Sequence, residues 1–162
     1  MRCKEIEERC STRFFKNDKE IPEHLINELI QAAAMAPSGH NLQPWRFKVI
    51  KEKETIQKIA TIMKENSWIG KSSCLVIIGL AAKDSYDIEK DAMAIGAAIE
   101  NMLLEATSNQ VDSCWVCGGL GNEVHHILHV SSQIKLMALI AMGYSRVPKR
   151  KAQKKKLEEL MF

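Results

Sequence analysis

Residues 74–80 read Cys-Leu-Val-Ile-Ile-Gly-Leu, and this short run without a charged side chain predicts a strand that is buried on both faces. Amphipathic helices are predicted on either side of it, over 21–36, 55–66 and 88–108, because their apolar residues recur at helical spacing. Further strands are predicted around 47–49 and over 111–116 and 134–142, with a turn at 118–121 and a short helix over 123–128. The sequence therefore predicts an α+β domain in which helices cover buried strands.

The composition is that of an ordinary globular protein, with 162 residues of which 46% are hydrophobic and 27% charged. This length suits one domain spanning 1–162. No apolar run approaches the roughly 20 residues that cross a bilayer, and the charged N-terminus is unlike a secretory signal. The odd number of cysteines, five, favours reduced thiols over a disulfide framework. We therefore expect a cytoplasmic location.

The charge of the chain is unevenly distributed. The formal net charge is +3, yet a basic tail beginning at about 146 has seven basic residues and no acid up to residue 156, so the rest of the chain is net acidic. The seven are Arg146, Lys149, Arg150, Lys151, Lys154, Lys155 and Lys156. This pattern favours an anion site near the C-terminus or an arm that binds nucleic acid.

The segment Arg9-Cys10-Ser11-Thr12-Arg13 holds two guanidinium groups on either side of a hydroxyl. Arginine presents fixed donors to phosphate oxygens, and the serine hydroxyl adds a further donor. If the segment is helical or turned, these groups converge on one phosphate. An exposed basic turn that follows a short helix is the alternative interpretation.

The segment 36–45 reads Ala-Pro-Ser-Gly-His-Asn-Leu-Gln-Pro-Trp and lies between a predicted helix and a predicted strand. A loop with this content of proline, glycine and small polar residues brings its backbone close to a ligand. The amides of Asn41 and Gln43 both donate and accept hydrogen bonds, which suits the polar edge of a flavin ring. A simple connecting loop, anchored in the core by Trp45, is equally compatible with the composition.

Taken together, these motifs resemble the nitroreductase family of FMN-dependent enzymes. The order is Arg-x-Ser-x-Arg-x-Phe at 9–15, a helix, and then the Pro-Ser-Gly-His-Asn loop entering a strand. Two later stretches are also similar to that family, namely 91–94 leading to Cys114-Trp115-Val116, and 138–144 followed by the basic tail. The resemblance covers nearly the whole chain and implies a three-layer α/β/α nitroreductase-like fold with a central mixed sheet, a homodimer, and non-covalently bound FMN.

The resemblance also implies a set of cofactor-binding residues. Arg9, Cys10, Ser11 and Arg13 match the family's N-terminal flavin motif, with Arg9 at the phosphate and Arg13 nearer the pyrimidine edge of the ring; Cys10 stands where relatives usually have a second basic residue. A loop that reaches the flavin of the other subunit, a turn beside the reactive nitrogen, and a tail that makes a second phosphate contact complete the set. The matching residues are Pro37, Ser38, Gly39 and Asn41 for the loop, Cys117, Gly118 and Gly119 for the turn, and Lys149 and Arg150, with Lys151 next, for the tail.

The implied reaction is a ping-pong hydride transfer, in which NADH or NADPH reduces the flavin and an electron-poor nitroaromatic or quinone reoxidises it. Such a transfer depends on position and electrostatics, so we name no catalytic side chain and no metal ligand. A protein of the same fold with different flavin chemistry remains an alternative. A nucleic-acid-binding tail is another, which predicts strongly salt-dependent binding and a colourless protein.

A zinc or dithiol site at Cys114-x-x-Cys117, completed by His125, His126 or His129, is the last alternative. Against it, Cys114 falls in a predicted strand, where residues three apart point to opposite faces. The methionines are interpreted as core-filling side chains; they are Met35, Met93, Met102, Met137 and Met142.

Overall fold

The computed structural model describes residues 3–162, and its centre is a four-stranded sheet in the order β1-β2-β4-β3. The strands are β1 (Trp45–Ile50), β2 (Cys74–Ala81), β3 (Asp112–Val116) and β4 (Ile134–Gly143). All three neighbouring pairs are antiparallel. Among residues 3–162, the parallel pairing is one isolated bridge, between Ser11 and Ser113. The sheet therefore combines parallel and antiparallel pairing only through that bridge.

Strand β2 is buried along its whole length, as its unbroken apolar sequence predicts. Its residues alternate between two hydrophobic cores, with Val76 and Ile78 in one and Leu75 and Ile77 in the other. Since successive side chains of a strand point to opposite faces, each face of the sheet needs its own covering layer.

Helices supply both layers. The helices are α1 (Lys4–Glu8), α2 (Glu23–Ala34), α3 (Lys53–Ile62), α4 (Ile88–Ser108) and α5 (Asn122–Leu128). Buried apolar residues of α2 and α4 belong to the first core, and those of α3 and α5 to the second. The three-layer α/β/α arrangement is therefore confirmed. Within residues 3–162, no helix combines the length and the apolar character that a membrane crossing requires.

Two predicted helices are longer than those observed. The helix predicted over 21–36 spans Glu23–Ala34, because proline at 22 serves as its N-cap and proline at 37 disfavours helical backbone at the residue before it. The helix predicted over 55–66 ends at Ile62. Met63 leaves the helical region with φ −82° and ψ 52° and is buried in the second core, after which Lys64–Lys71 continues as a 3₁₀ helix.

The interpretation of the methionines as core side chains is wrong for two of the five. Met102 and Met142 are fully buried, and Met137 packs against the first core, but Met35 is 82% exposed and Met93 is 72% exposed. Met35 lies just past the last turn of α2, and Met93 lies on the outward side of α4. Their exposure leaves apolar surface uncovered in the single chain.

Candidate functional site: a cationic cavity

A cavity of about 1460 Å³ lies between the N-terminal segment and the basic tail. Its cationic lining residues are Arg9, Arg13, Arg150, Lys151 and Lys154, and the acidic ones are Glu7 and Glu100. Cys10 and Ser11 also line it. Because the cations outnumber the acids and three of them are arginine, the cavity suits a ligand with a phosphate group.

The N-terminal segment reaches the cavity as extended chain, which corrects the expectation that a helix or turn brings its arginines together. Helix α1 ends at Glu8, and beyond it Thr12 N donates to the Ser113 carbonyl oxygen at 2.9 Å. Thr12 is buried, whereas Ser11 and Arg13 on either side of it are exposed. The alternation of extended backbone therefore places Ser11 and Arg13 on one side, facing the cavity.

Two contacts orient the arginines. Arg9 Nε lies 3.3 Å from Glu100 Oε1 on α4, which ties the first arginine to the long helix. The guanidinium carbon of Arg13 lies 5.8 Å from the ring centroid of Trp68, within the range of a cation–π interaction. Each guanidinium is thus anchored to the protein before any ligand binds.

The basic tail divides into residues with different positions. Arg150 and Lys151 line the cavity, and so does Lys154, to which the family resemblance gives no role. Lys149 instead forms an ion pair with Asp112, with Nζ 3.1 Å from Oδ1. Arg146 lies over the Phe14 ring at 5.9 Å. Two adjacent residues of the tail therefore have different environments: Lys149 pairs with Asp112, whereas Arg150 lines the cavity.

The Pro-Ser-Gly-His-Asn loop adopts backbone conformations that are rare for residues with side chains. His40, Asn41 and Gln43 have φ of 51°, 55° and 50°, all in the left-handed region. Such conformations cost on the order of 1–3 kcal/mol each and concentrate at ligand-binding sites. The Gln43 backbone N–H donates to Ser38 Oγ at 3.0 Å, which closes the loop on itself.

The segment before α4 supports this loop. Tyr86 packs directly on Gly39, and its ring lies edge-on to that of His40 with 5.3 Å between centroids. The buried carboxylate of Asp91 accepts hydrogen bonds from Ser85 Oγ at 2.7 Å and from the Tyr86 backbone N–H at 3.1 Å. No sequence motif indicated Tyr86, because its role depends on a contact 47 positions along the chain, between residues 39 and 86.

Adding a methyl group at Gly39 is expected to destabilise the protein by about 1–3 kcal/mol, since the new Cβ would overlap the Tyr86 ring. Chemical denaturation of Gly39→Ala, Tyr86→Ala and the double variant measures this. The cost of Gly39→Ala should largely disappear once Tyr86 is alanine. Equal costs in both backgrounds would show that the loop does not rest on Tyr86.

A single chain does not bring all the expected site residues together. Pro37, Ser38, Gly39 and Asn41 are absent from the described lining of the cavity, as are Cys117, Gly118 and Gly119. The 117–119 turn follows β3 and is exposed, with open space beside Gly118 and with Gly119 at φ 85°. The N-terminal segment and the tail are therefore the two parts that one chain places at a common site.

The Cys-x-x-Cys motif has no geometry for metal or dithiol chemistry. Cys114 is buried within β3 and Cys117 is exposed beyond its end. Burial raises the pKa of the Cys114 thiol, against smaller lowering effects of Arg13, Ser11 and Arg9, so it is protonated at neutral pH. In residues 3–162 no three His, Cys, Asp or Glu side chains are grouped so as to hold a metal ion.

Comparison with known proteins identifies the family of the chain. The model of the nitroreductase family matches residues 6–72 and 63–144. A protein of Archaeoglobus fulgidus, named as a candidate NADH dehydrogenase/NAD(P)H nitroreductase, is 27% identical over 136 residues, which are 80% of this chain and 78% of that protein. Iodotyrosine deiodinase 1 of Sus scrofa is 38% identical over 64 residues, covering 40% of this chain and 22% of its own length.

The fold agrees with the sequence match. The crystal structure of a candidate nitroreductase in complex with FMN from Desulfovibrio desulfuricans has a TM-score of 0.88 and 26% identity, with 97% of this chain and 92% of that chain covered. The family model spans most of the chain and includes the N-terminal segment that lines the cavity, but ends before the tail residues that line it. The chain therefore belongs to the nitroreductase family.

Proposed function

We propose that this protein is an FMN-dependent oxidoreductase that uses NADH or NADPH to reduce electron-poor acceptors such as nitroaromatics or quinones. The observation that carries the proposal is the cavity in which Arg9, Ser11 and Arg13 face the basic tail. The FMN complex of the Desulfovibrio relative supports the choice of cofactor. The name of the Archaeoglobus relative supports the choice of reductant.

The donor set fits the phosphate of FMN. A phosphate dianion needs several convergent N–H and O–H donors, and the cavity presents the guanidinium groups of Arg9 and Arg150, the Ser11 hydroxyl and the Lys151 ammonium. In this proposal Arg9, Ser11 and Arg150 hold the phosphate, with Lys151 and Lys154 neutralising its charge. Cys10 stands at the cavity wall where relatives usually have a basic residue, so in this proposal the tail supplies a larger share of the positive charge than in those relatives.

Bound FMN supplies hydride and electron transfer between the nicotinamide nucleotide and the acceptor. The protein side chains bind and orient, and none is required to exchange a proton with the substrate. Arg13, anchored on Trp68, directs positive charge toward the cavity, and a cation near the flavin ring would favour the anionic reduced ring over the neutral oxidised ring. Cys117, Gly118 and Gly119 are exposed residues, and in this proposal their backbone N–H groups serve as donors, with no side chain at the two glycines.

The complete site, in this proposal, forms in a homodimer in which the Pro37–Asn41 loop of each chain serves the cavity of the other. Three observations support it. The loop is strained yet lies outside its own chain's cavity. The cavity is larger than the roughly 300–1,000 Å³ of a complete ligand pocket, and the end of the tail is apolar but exposed. The exposed apolar side chains at that end are Leu157, Leu160, Met161 and Phe162.

We place the protein in the cytoplasm, where its five free thiols would stay reduced.

The visible absorption spectrum of the purified protein is the decisive experiment. We expect flavin bands near ~450 nm that bleach when NADH or NADPH is added without oxygen and return when a nitroaromatic or quinone follows. On gel filtration the yellow protein should elute at twice the chain mass of 18.3 kDa. A colourless protein that takes up no added FMN would refute the function, and a yellow monomer with one FMN per chain would refute the dimer.

The deiodinase relative favours a second candidate, the reductive removal of iodide from a halogenated aromatic ring by the same flavin site. The match covers only 40% of this chain, so the nitro or quinone acceptor is preferred. Assaying the reduced protein with a nitroaromatic, a quinone and an iodophenol separates the two. Reoxidation by the iodophenol alone, with release of iodide, would replace the first candidate by the second.

A further inference from the structure

Asp112 is a buried acidic residue at the point where the basic tail leaves the sheet. It is the first residue of β3, is 7% exposed, and pairs with Gly143 at the end of β4. Its Oδ2 accepts a hydrogen bond from the Ser145 backbone N–H at 2.8 Å, and its Oδ1 lies 3.1 Å from Lys149 Nζ. A single carboxylate therefore contacts Ser145, just before the tail, and Lys149, within the tail.

The residues at the junction of β4 and the tail are bound to the N-terminal segment through backbone hydrogen bonds. Lys16 N donates to the Tyr144 carbonyl oxygen at 2.8 Å, and Arg146 N donates to the Phe14 carbonyl oxygen at 3.0 Å. Phe15 and Ser145 form an antiparallel bridge. The start of the tail thus lies beside the segment that holds Arg13, and its direction beyond Ser145 decides whether Arg150 and Lys151 face that arginine.

We propose that Asp112 and Lys149 are positioning residues that direct the basic tail, so that Arg150 and Lys151 face the N-terminal arginines while Lys149 makes no contact with the ligand phosphate. The proposal rests on the phosphate site of the proposed function. It assigns Lys149 a role different from the one that the family resemblance implies.

The balance of charge favours this assignment. If Lys149 turned to the phosphate, it would leave the buried carboxylate of Asp112 without its cation, and an unpaired buried charge is strongly unfavourable. Arg150 and Lys151 have no such buried partner among the ion pairs of residues 3–162 and already line the cavity. Releasing them toward an anion therefore exposes no buried charge.

The test measures the affinity of the flavin-free protein for FMN and for riboflavin, which lacks the phosphate, by quenching of flavin fluorescence. Lys149→Met should weaken FMN binding by on the order of tenfold and leave riboflavin binding unchanged. Asp112→Asn should weaken FMN binding in the wild-type background but improve it in the Lys149→Met background. With Lys149 present, asparagine at 112 removes the ion pair that holds the tail. With methionine at 149, asparagine removes the unpaired buried charge of Asp112 and can still accept the hydrogen bond from Ser145 N, so the effect on FMN binding changes sign.

Lys151→Met is the matched comparison, because this lysine lines the cavity and should weaken FMN binding to the same extent with aspartate or asparagine at 112. The positioning role is overturned if Lys149→Met also weakens FMN binding equally with aspartate or asparagine at 112. It is overturned as well if Lys149→Met leaves the affinity for FMN unchanged. Asp112→Asn leaves no unpaired buried carboxylate and should fold even if Lys149→Met proves unstable; a fall in its ratio of FMN affinity to riboflavin affinity then supports the positioning role, and an unchanged ratio overturns it. Wild-type protein that binds neither flavin would instead refute the proposed function itself.

Discussion

Replacing Arg9 and Arg13 together by alanine is expected to weaken FMN binding by about 3–6 kcal/mol, because each charge-assisted hydrogen bond contributes roughly 1.5–3 kcal/mol. Both side chains line the cavity, and both are held in place by contacts that do not involve the ligand. Removing Arg9 also frees Glu100, which then adds negative charge beside the phosphate. The purified double variant should therefore be nearly colourless.

Flavin content per chain and the dissociation constant of added FMN measure this loss. Lys16→Ala is the matched control, since it removes a cation from the same extended segment at a position outside the described lining of the cavity. The control should retain wild-type flavin content, and both variants should melt at similar temperatures. Unchanged FMN retention in the double variant would move the phosphate site away from this cavity.

Met102→Ala is expected to lower the free energy of unfolding by about 2–5 kcal/mol, the range observed when a large buried side chain is truncated. Met102 is fully buried on α4, between that helix and the sheet. Met93, on the same helix, is 72% exposed in the single chain. Met93→Ala therefore makes a comparison in which residue type and helix are the same and burial differs.

Urea denaturation of the two variants measures the difference. In a monomer, Met93→Ala should cost less than about 0.5 kcal/mol. A larger, concentration-dependent cost at Met93 would show that the outward side of α4 is covered by a second subunit. A loss below about 1 kcal/mol for Met102→Ala would contradict the position of that side chain in the first core.

The elements of this fold were largely predictable because their signals are local. The bounds 88–108 for α4 coincide with the observed Ile88–Ser108, where Asp87 accepts hydrogen bonds from the backbone N–H groups of Glu89 and Lys90. The unbroken apolar run of β2 also indicated its central position. The exception at Met63 arises because burial in the second core outweighs continuation of a helix that the sequence permits.

The candidate site was predictable as a set of residue types but not as a geometry. Arg9, Ser11, Arg13 and Arg150 were selected from motifs, and one chain does place them at one cavity; their roles with FMN stay predictions. Asp112 had a faint signal, an acid near the start of the strand predicted over 111–116. Tyr86 and Trp68 had none, because nothing within a few residues of either predicts the loop or the arginine that it contacts.

The sequence by itself determined the helices, the buried strands, the basic tail and the family, because periodicity, capping and motif order are properties of neighbouring residues. Only the tertiary structure decided the strand order β1-β2-β4-β3, the extended path that brings Arg9 and Arg13 to one side, and the pairing of Lys149 with Asp112. These depend on contacts between residues far apart in the chain. Such contacts form when buried charges and unpaired backbone groups find partners, and no local pattern specifies which partner that is.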